Sequence, residues 1–236
     1  NTHSISYPHS VGLLYGTFTD FLGFKPDNDE WKTMALASFS KSKNIYDEKM
    51  NSIYKLTKDG FELDLSFFDY YLFDRQPHFY NKKLISLFGK PRNQNEKITD
   101  KHHQVAGALQ RAFTNIVFHL LKITKQKGGK SNNIVIAGGA AMNCVFNGLL
   151  ENNNSYKNNF IPPWPDDLGV SIGAAYLENH NQGKKSKNDC KVYLGPGYSN
   201  ADILSLLKKY NLSFLKPDIF THEWLKLSII IITSLN

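Results

Sequence analysis

Apolar residues recur at helical spacing in three stretches, residues 11–22, 28–36 and 102–127. Ser10 can cap the first helix and Gly23 can end it. The third stretch carries the longest apolar stripe, made of Val105, Leu109, Ala112, Phe113, Ile116, Leu120 and Ile123. The pattern therefore predicts a long, partly buried helix preceded by two shorter ones.

Two other patterns predict strands. Residues 53–65 alternate around Asp59-Gly60, which favours a hairpin, whereas residues 133–137 form a continuous apolar run typical of a strand covered on both faces. Helical patterns follow from about Ala140 and over residues 168–178. Helices followed by mixed strands and helices indicate an α/β fold with a mixed sheet flanked by helices.

Composition excludes several functions and favours a cytoplasmic location. The apolar run at 229–232 is far shorter than the roughly 20 residues of a membrane-spanning helix. The net charge of +7 comes almost entirely from lysines scattered through Asn-rich loops, so we expect no nucleic-acid partner. Cys144 and Cys190 are the only cysteines, without metal spacing, which indicates a reducing compartment. The chain starts at Asn1 without a signal-peptide pattern, and we interpret the start as a truncation.

The strongest chemical signal is the pair Gly138-Gly139 between the predicted strand and the next helix. Glycines there let backbone N–H groups approach a phosphate, and the helix start favours its negative charge. The pair equally fits a tight strand-to-helix connection without a ligand. Asn143, one turn on, either bonds a ribose or phosphate oxygen or is a surface amide.

A second signal is Asp166-Asp167, which follows Pro162-Pro163-Trp164-Pro165 and leads into a helix. A carboxylate at a helix start is commonly an N-cap, and we assign that role to Asp166. Two adjacent carboxylates rarely cap one helix together. Asp167 is therefore the candidate ligand for a metal or for the magnesium ion of a nucleotide.

The remaining polar candidates are weaker. His9 precedes the first helix and is the best histidine for a catalytic role, although a buried structural histidine fits as well. No histidine pair has the i, i+4 spacing of a helical metal site. Glu30 and Lys32 by themselves fit a solvated surface pair. No Gly-x-Ser-x-Gly elbow or Cys/His nucleophile pattern supports acyl-enzyme chemistry.

Four ordered segments together resemble the NodU/CmcH-type O-carbamoyltransferases. They are Tyr7-Pro-His-Ser-Val-Gly-Leu-Leu-Tyr, Gly23-Phe with Glu30-Trp-Lys-Thr-Met-Ala-Leu-Ala, Ala137-Gly-Gly-Ala-Ala-Met-Asn and Asp167-Leu-Gly-Val-Ser-Ile-Gly-Ala-Ala. The resemblance covers most of residues 4–218. It implies part of an actin-like ATPase (ribonuclease H-like) domain, related to the threonylcarbamoyl-tRNA synthases, over residues 1–190. Residues 191–236 would then begin a truncated domain that forms carbamoyl-adenylate.

The resemblance also implies chemistry and site residues. ATP would bind at Gly138, Gly139, Asn143, Glu30 and Lys32, and Asp167 would be a catalytic ligand of a divalent metal, iron or magnesium, with His9 as a further catalytic residue. The family's HxxxH metal histidines would lie outside this chain. Small-molecule partners would be carbamoyl phosphate and a hydroxylated, sugar-like acceptor. Because those histidines and an Arg/Gly-rich stretch are missing, a non-catalytic nucleotide-binding remnant is an alternative, as is a sugar-kinase-like or tRNA-carbamoylating relative.

Overall fold

The computed structural model describes residues 3–40, 42–72, 77–128, 131–152, 156–184, 192 and 195–214. The chain forms two compact units, Asn1–Ser186 and Lys187–Asn236. The first unit contains the core and all the candidate site residues. In the second unit the described chain contains one helix, Asn200–Lys209, which Ser199 caps through a hydrogen bond from the Asp202 N–H. Cys190 and the apolar run at 229–232 lie outside the described residues.

The first unit opens with helix α1, Val11–Phe21. As predicted, the Ser10 hydroxyl accepts a hydrogen bond from the Leu13 N–H (3.2 Å), and the helix ends before Gly23, whose φ is 73°. A side chain at Gly23 would collide with the carbonyl oxygen of Arg92. Both the backbone conformation and the packing therefore require glycine at this end of the helix.

Two helices and a hairpin follow α1 in the chain. Helix α2 is Glu30–Ala37, helix α3 is Ile45–Asn51, and strands β1, Tyr54–Thr57, and β2, Gly60–Leu63, pair antiparallel. The predicted second helix and hairpin are confirmed. The apolar pattern did not predict α3, although Asn44 and Asp47 form a capping box at its start.

Aromatic side chains fill the space under α1. Two 3-10 turns, Leu65–Phe67 and Tyr70–Leu72, lead to helix α4, Lys82–Phe88. The Phe88 ring lies 4.9 Å from the Phe18 ring and 6.1 Å from the Phe21 ring, centroid to centroid, in edge-on contacts. Such contacts add to the stabilisation that comes from burying the rings.

Arg92 holds the loop that follows α4 against the end of α1. Arg92 is 6% exposed, and its guanidinium donates to the carbonyl oxygens of Leu22 (2.6 Å), Gly23 (3.3 Å), Gln94 (3.0 Å) and Glu96 (2.7 Å). Burial lowers the pKa of this guanidinium, with the opposing charge of Glu96 as the smaller, raising cause. Arg92 therefore acts as a buried cap for an exposed loop.

Helix α5, Asp100–Lys127, is the long helix that the apolar stripe predicted. Its buried face contacts α1, α2, α3 and β2. Arg111 on this helix forms a bidentate ion pair with Asp47, with N–O distances of 2.6 and 2.8 Å. Gly107 faces Ser40 so closely that a methyl group would overlap the serine side chain. Helix α5 is therefore the element around which the first unit packs.

The rest of the first unit is a β-α-β arrangement. Strand β3, Asn133–Val135, leads through a 3-10 turn, Gly139–Met142, to helix α6, Cys144–Leu150. Strand β4, Asn158–Phe160, pairs parallel with β3, and helix α7, Leu168–Asn181, follows. The predicted α/β class is confirmed, whereas the described strands form two separate pairs and not one mixed sheet. None of the described helices combines the length and hydrophobicity needed to span a bilayer.

Candidate functional site

The glycine turn, which we define as residues 138–142, follows shortly after β3. Gly138 has φ 99° and ψ 160°, a conformation that is essentially limited to glycine, and the 3-10 turn starts at Gly139. Two expectations were wrong. The α-helix starts at Cys144 instead of Ala140, and β3 is not covered on both faces, because Val135 is 67% exposed.

Gly139 differs from Gly138 in what it requires. Its φ lies outside the positive region, and no atom lies within 4 Å of the position that a Cβ would take. Neither backbone conformation nor packing in the described chain therefore calls for glycine at residue 139. Its N–H and that of Ala140 open the turn, so they have no acceptor within it.

The glycine turn is hydrogen-bonded to the acidic segment, which we define as residues 162–167. The Gly138 N–H donates to the Pro165 carbonyl at 2.6 Å. Because β3 and β4 run parallel, the turn after β3 and the segment after β4 both lie at the carboxyl ends of their strands. In open α/β sheets, ligands bind at this edge.

The two carboxylates have different contacts. The N-cap position of α7 belongs to Asp167 and not to Asp166 as expected, but the Asp167 side chain makes no capping hydrogen bond, whereas Asp166 Oδ1 accepts from the Leu168 N–H at 3.3 Å. The metal-ligand role of Asp167 stays a prediction. Gly169 contacts the Trp164 carbonyl so closely that a side chain would collide with it. The start of α7 is therefore fixed on the Trp164–Pro165 backbone, with Asp166 as a local cap and the Asp167 carboxylate not engaged in capping.

Asn143 is not a surface amide and does not lie inside the helix, so these two expectations were wrong. Its bond to a ribose or phosphate oxygen stays a prediction. It is the N-cap of α6, is 8% exposed, and its Oδ1 accepts from the Phe146 N–H at 2.9 Å. Its amide also makes two hydrogen bonds, both 3.0 Å, with the amide of Gln110 on α5. These bonds commit the Asn143 side chain to protein partners.

Tyr15 links this region to Glu30. Its hydroxyl donates to Gln110 Oε1 at 2.9 Å. Burial raises the pKa of Tyr15, and the neighbouring Cys144 and Glu30 raise it further. Glu30 itself accepts from the Asp27 N–H at 2.7 Å and lies over Gly16, 3.6 Å from where a Cβ there would be. Glu30 and Cys144, which lies two residues after the turn, thus both raise the pKa of the same phenol.

Lys32 and His9 have other partners. Lys32 Nζ pairs with Asp29 at 2.8 Å, not with Glu30, and its side chain is 40% exposed. His9 Nδ1 accepts a hydrogen bond from the Leu63 N–H at 3.0 Å, so the imidazole lies against the hairpin. The structure gives both residues structural contacts, and their proposed functional roles remain predictions.

Metal ligands are sparse in the described part of the chain. Among those residues, no three His, Cys, Asp or Glu side chains are grouped closely enough to hold a metal ion. A single carboxylate, Asp167, is a hard oxygen ligand that suits magnesium or iron, but it cannot hold a divalent cation alone. Any metal bound at Asp167 would need ligands from elsewhere.

The sequence pattern did not single out Tyr15, Gln110 or Pro165. Gln110 was detectable, because it is a polar residue directly after the buried run Ala106-Gly107-Ala108-Leu109. Tyr15 reads as an ordinary apolar position on α1, and the role of Pro165 depends on its carbonyl oxygen alone. A main-chain acceptor has no signature in side-chain pattern.

Comparison with known proteins gives the family. A family model described as the carbamoyltransferase N-terminus matches residues 1–176. The chain therefore belongs to the carbamoyltransferase N-terminus family, and the family-level resemblance drawn from the four motifs is confirmed.

Three curated relatives are similar to this chain over most of its length. An uncharacterised protein of Synechocystis sp. is 35% identical over 212 residues, covering 86% of this chain and 34% of the relative. Nodulation protein NolO of Bradyrhizobium diazoefficiens is 29% identical over 206 residues, covering 86% and 35%. An uncharacterised protein of Methanocaldococcus jannaschii is 30% identical over 205 residues, covering 85% and 31%. The chain spans about a third of the length of these relatives.

Proposed function

We propose that this chain supplies the nucleotide-phosphate turn of an O-carbamoyltransferase. The reaction would use ATP and carbamoyl phosphate to form carbamoyl-adenylate, and would then pass the carbamoyl group to a hydroxyl of a sugar-like acceptor. The fold proposed for the complete domain is the actin-like ATPase type, in which residues 1–190 contribute one part and residues 191–236 lead into the adenylate-forming domain.

The observation that carries the proposal is the hydrogen bond from the Gly138 N–H to the Pro165 carbonyl. It brings the two segments with phosphate-binding and metal-binding character to one edge of the parallel strand pair. We propose a phosphate at Gly139 and a cation at Asp167, because a nucleotide commonly binds together with a magnesium ion. A turn and an acid at separate places on the molecule would have offered no such site.

Gly139 supports the proposal independently. Since nothing in the described chain occupies the space in front of it, glycine at this position is best explained by the close approach of something outside the chain. The N–H groups of Gly139 and Ala140 can donate to a phosphate oxygen. Gly138 cannot contribute its N–H to a phosphate while Pro165 accepts it.

A divalent cation at Asp167, when bound, would supply Lewis-acid polarisation of a phosphoryl or carbonyl oxygen. Asp167 would be one of its ligands, with the others coming from elsewhere, while the Asp166 carboxylate continues to accept the Leu168 N–H at the start of α7. Glu30 lies over Gly16 on α1, and its negative charge raises the pKa of Tyr15. We propose for it a role in orienting the nucleotide by hydrogen bonds and not by charge attraction, because a carboxylate repels phosphate.

The test is Gly139→Ala in the full 236-residue chain, measured by isothermal titration with ATP and Mg²⁺. The added methyl group meets no protein atom, so helix content and the urea midpoint should be unchanged, because the turn keeps its conformation. It would block close approach of a phosphate, and we expect the dissociation constant to rise at least about tenfold.

Gly148→Ala is the matched control. Gly148 lies on α6, and its added methyl group also meets nothing within 4 Å. We expect wild-type affinity from this variant. Equal affinities for wild type, Gly139→Ala and Gly148→Ala would show that the turn does not bind the phosphates. A phosphorylated acceptor in place of a carbamoylated one, seen by mass spectrometry, would favour the sugar-kinase-like alternative.

A further inference from the structure

Three buried polar side chains form one hydrogen-bonded network behind the glycine turn. Tyr15 on α1 is 5% exposed, Gln110 on α5 is 6% exposed, and Asn143 at the start of α6 is 8% exposed. We call these residues the Tyr15–Gln110–Asn143 network. They come from three different elements, and Asn143 is the residue directly after the turn Gly139–Met142.

The hydrogen bonds of the network are reciprocal. Gln110 Nε2 donates to Asn143 Oδ1 and Asn143 Nδ2 donates to Gln110 Oε1, both at 3.0 Å. The Tyr15 hydroxyl adds a third bond, to Gln110 Oε1, at 2.9 Å. Two planar amides paired in this way fix each other's position and orientation, because tilting either one breaks both bonds at once.

Buried amides are costly unless every polar atom is bonded, and these are. Asn143 Oδ1 also accepts from the Phe146 N–H, so the same oxygen caps α6 and receives the Gln110 bond. Gln110 Nε2 lies 3.4 Å from the Thr114 hydroxyl as well. An apolar contact between α5 and α6 would stabilise the fold without directional bonds. The network instead fixes the angle at which the chain leaves the turn.

We propose that Gln110 and Tyr15 are positioning residues for nucleotide binding, which act through Asn143 on the conformation of Gly139 and Ala140. The inference rests on the proposed function of the turn. The Asn143 N–H donates to the Ala140 carbonyl at 3.3 Å, so the residue that Gln110 holds is bonded directly to the turn. Gly138 is fixed from the other side by Pro165. The turn is thus held at both ends, with its first free N–H groups in between.

A purely structural network would have a different effect. Removing it would then lower the free energy of unfolding but leave the affinity of the folded molecules for ATP unchanged. The test therefore measures stability and affinity in the same variants, and adds hydrogen–deuterium exchange of the turn without nucleotide.

The two test variants are Gln110→Met, which keeps the volume and removes all amide bonds, and Tyr15→Phe, which removes one hydroxyl and keeps the ring that contacts Phe113. We expect the dissociation constant for ATP with Mg²⁺ to rise about tenfold for Gln110→Met and about threefold for Tyr15→Phe. Amide exchange in residues 139–143 should become faster. Tyr15→Phe keeps the test decisive if Gln110→Met does not fold.

Thr33→Val is the matched control. The Thr33 hydroxyl donates to Thr19 Oγ1 at 3.1 Å, and both side chains are fully buried between α1 and α2. This variant loses a buried hydrogen bond of the same kind away from the turn. We expect a lower urea midpoint with wild-type affinity for ATP and unchanged exchange in residues 139–143.

The outcomes separate the two proposals. If wild type binds ATP, Gly139→Ala does not, and Gln110→Met and Tyr15→Phe bind like wild type, the positioning role is overturned and the proposed turn stands. If both network variants weaken binding no more than Thr33→Val does, the network is structural only. If wild type itself fails to bind ATP, the proposed function fails and the positioning role fails with it.

Discussion

Arg92 offers a sharp test of how the first unit is held together. Replacing it by methionine keeps an unbranched apolar side chain of similar reach but removes every donor. The carbonyl of Leu22, a fully buried residue, would lose its 2.6 Å partner, and the carbonyls of Gly23, Gln94 and Glu96 would lose theirs. The change isolates the hydrogen bonds from the packing.

The four carbonyls should not count equally. A buried carbonyl left without a donor costs about 1–3 kcal/mol, and this applies to Leu22. Gln94 is exposed, and Gly23 and Glu96 are half-buried, so water can replace Arg92 at these three, with a net loss of about 0.5–1 kcal/mol each. The wild-type protein must bury the charged guanidinium, and this burial lowers the pKa of Arg92. Arg92→Met removes that cost, which offsets part of the lost stability. We expect Arg92→Met to reduce the free energy of unfolding by about 2–4 kcal/mol.

Urea denaturation followed by circular dichroism measures this loss. Lys90→Met is the control, because Lys90 lies in the same loop and its side chain is 73% exposed in an ion pair with Glu96. Such an exposed pair contributes little to stability, because water and salt screen it. Arg92→Lys should fall between the two, because one ammonium cannot reach acceptors arranged for a planar fork. A loss for Arg92→Met no larger than that for Lys90→Met would refute the assignment of Arg92 as a buried cap.

Two further predictions concern helix α5. Gly107→Ala should destabilise the fold by about 1–3 kcal/mol, because the methyl group overlaps the Ser40 side chain. The control is Gly148→Ala, whose urea midpoint should stay equal to that of the wild type or rise. Equal urea midpoints for the two variants would contradict the close packing of Gly107. The pKa of Asp47 is the basis of the second: burial alone would raise it, but hydrogen bonds from Arg111 and from the Asn44 N–H lower it below its usual 3.8. Because the folded-state pKa is the lower one, the contribution to stability is complete above about pH 4 and is lost as the pH falls through the folded value. Arg111→Met should therefore flatten the dependence of the urea midpoint on pH below about pH 4, and an unchanged slope would argue against the pair.

Sequence pattern predicted the first half of the fold better than the second. The stripe on α5 and the Ser10 and Gly23 signals at the ends of α1 were sufficient, because burial there follows helical periodicity and the caps are local. Helix α4 was missed although Asn81 caps it through the N–H groups of Lys83 and Leu84. A seven-residue helix is too short for its periodicity to be distinguished from that of the aromatic stretch before it.

The second half departed from its pattern for a different reason. The apolar run at 133–137 predicts a strand covered on both faces. In the described chain β3 pairs with β4 alone, and Ile134 packs against the core while Val135 stays exposed. Hydrophobicity reports what a residue would gain by burial and does not say which element covers it. For the same reason the pattern placed Gly138, Gly139 and Asp167 at element junctions but did not predict the contact through Pro165.

The uneven burial of the first unit has a consequence for its thermal motions. Backbone amides of α5 are protected by packing on several elements, whereas no residue of β4 or α7 is buried in the described chain. Opening near β3 and β4 should therefore cost far less free energy than opening the core. The glycine turn lies on that border, with Asn143 as its buried anchor. A bound anion could tighten the loosely held side alone, without any rearrangement of the packed helices behind it.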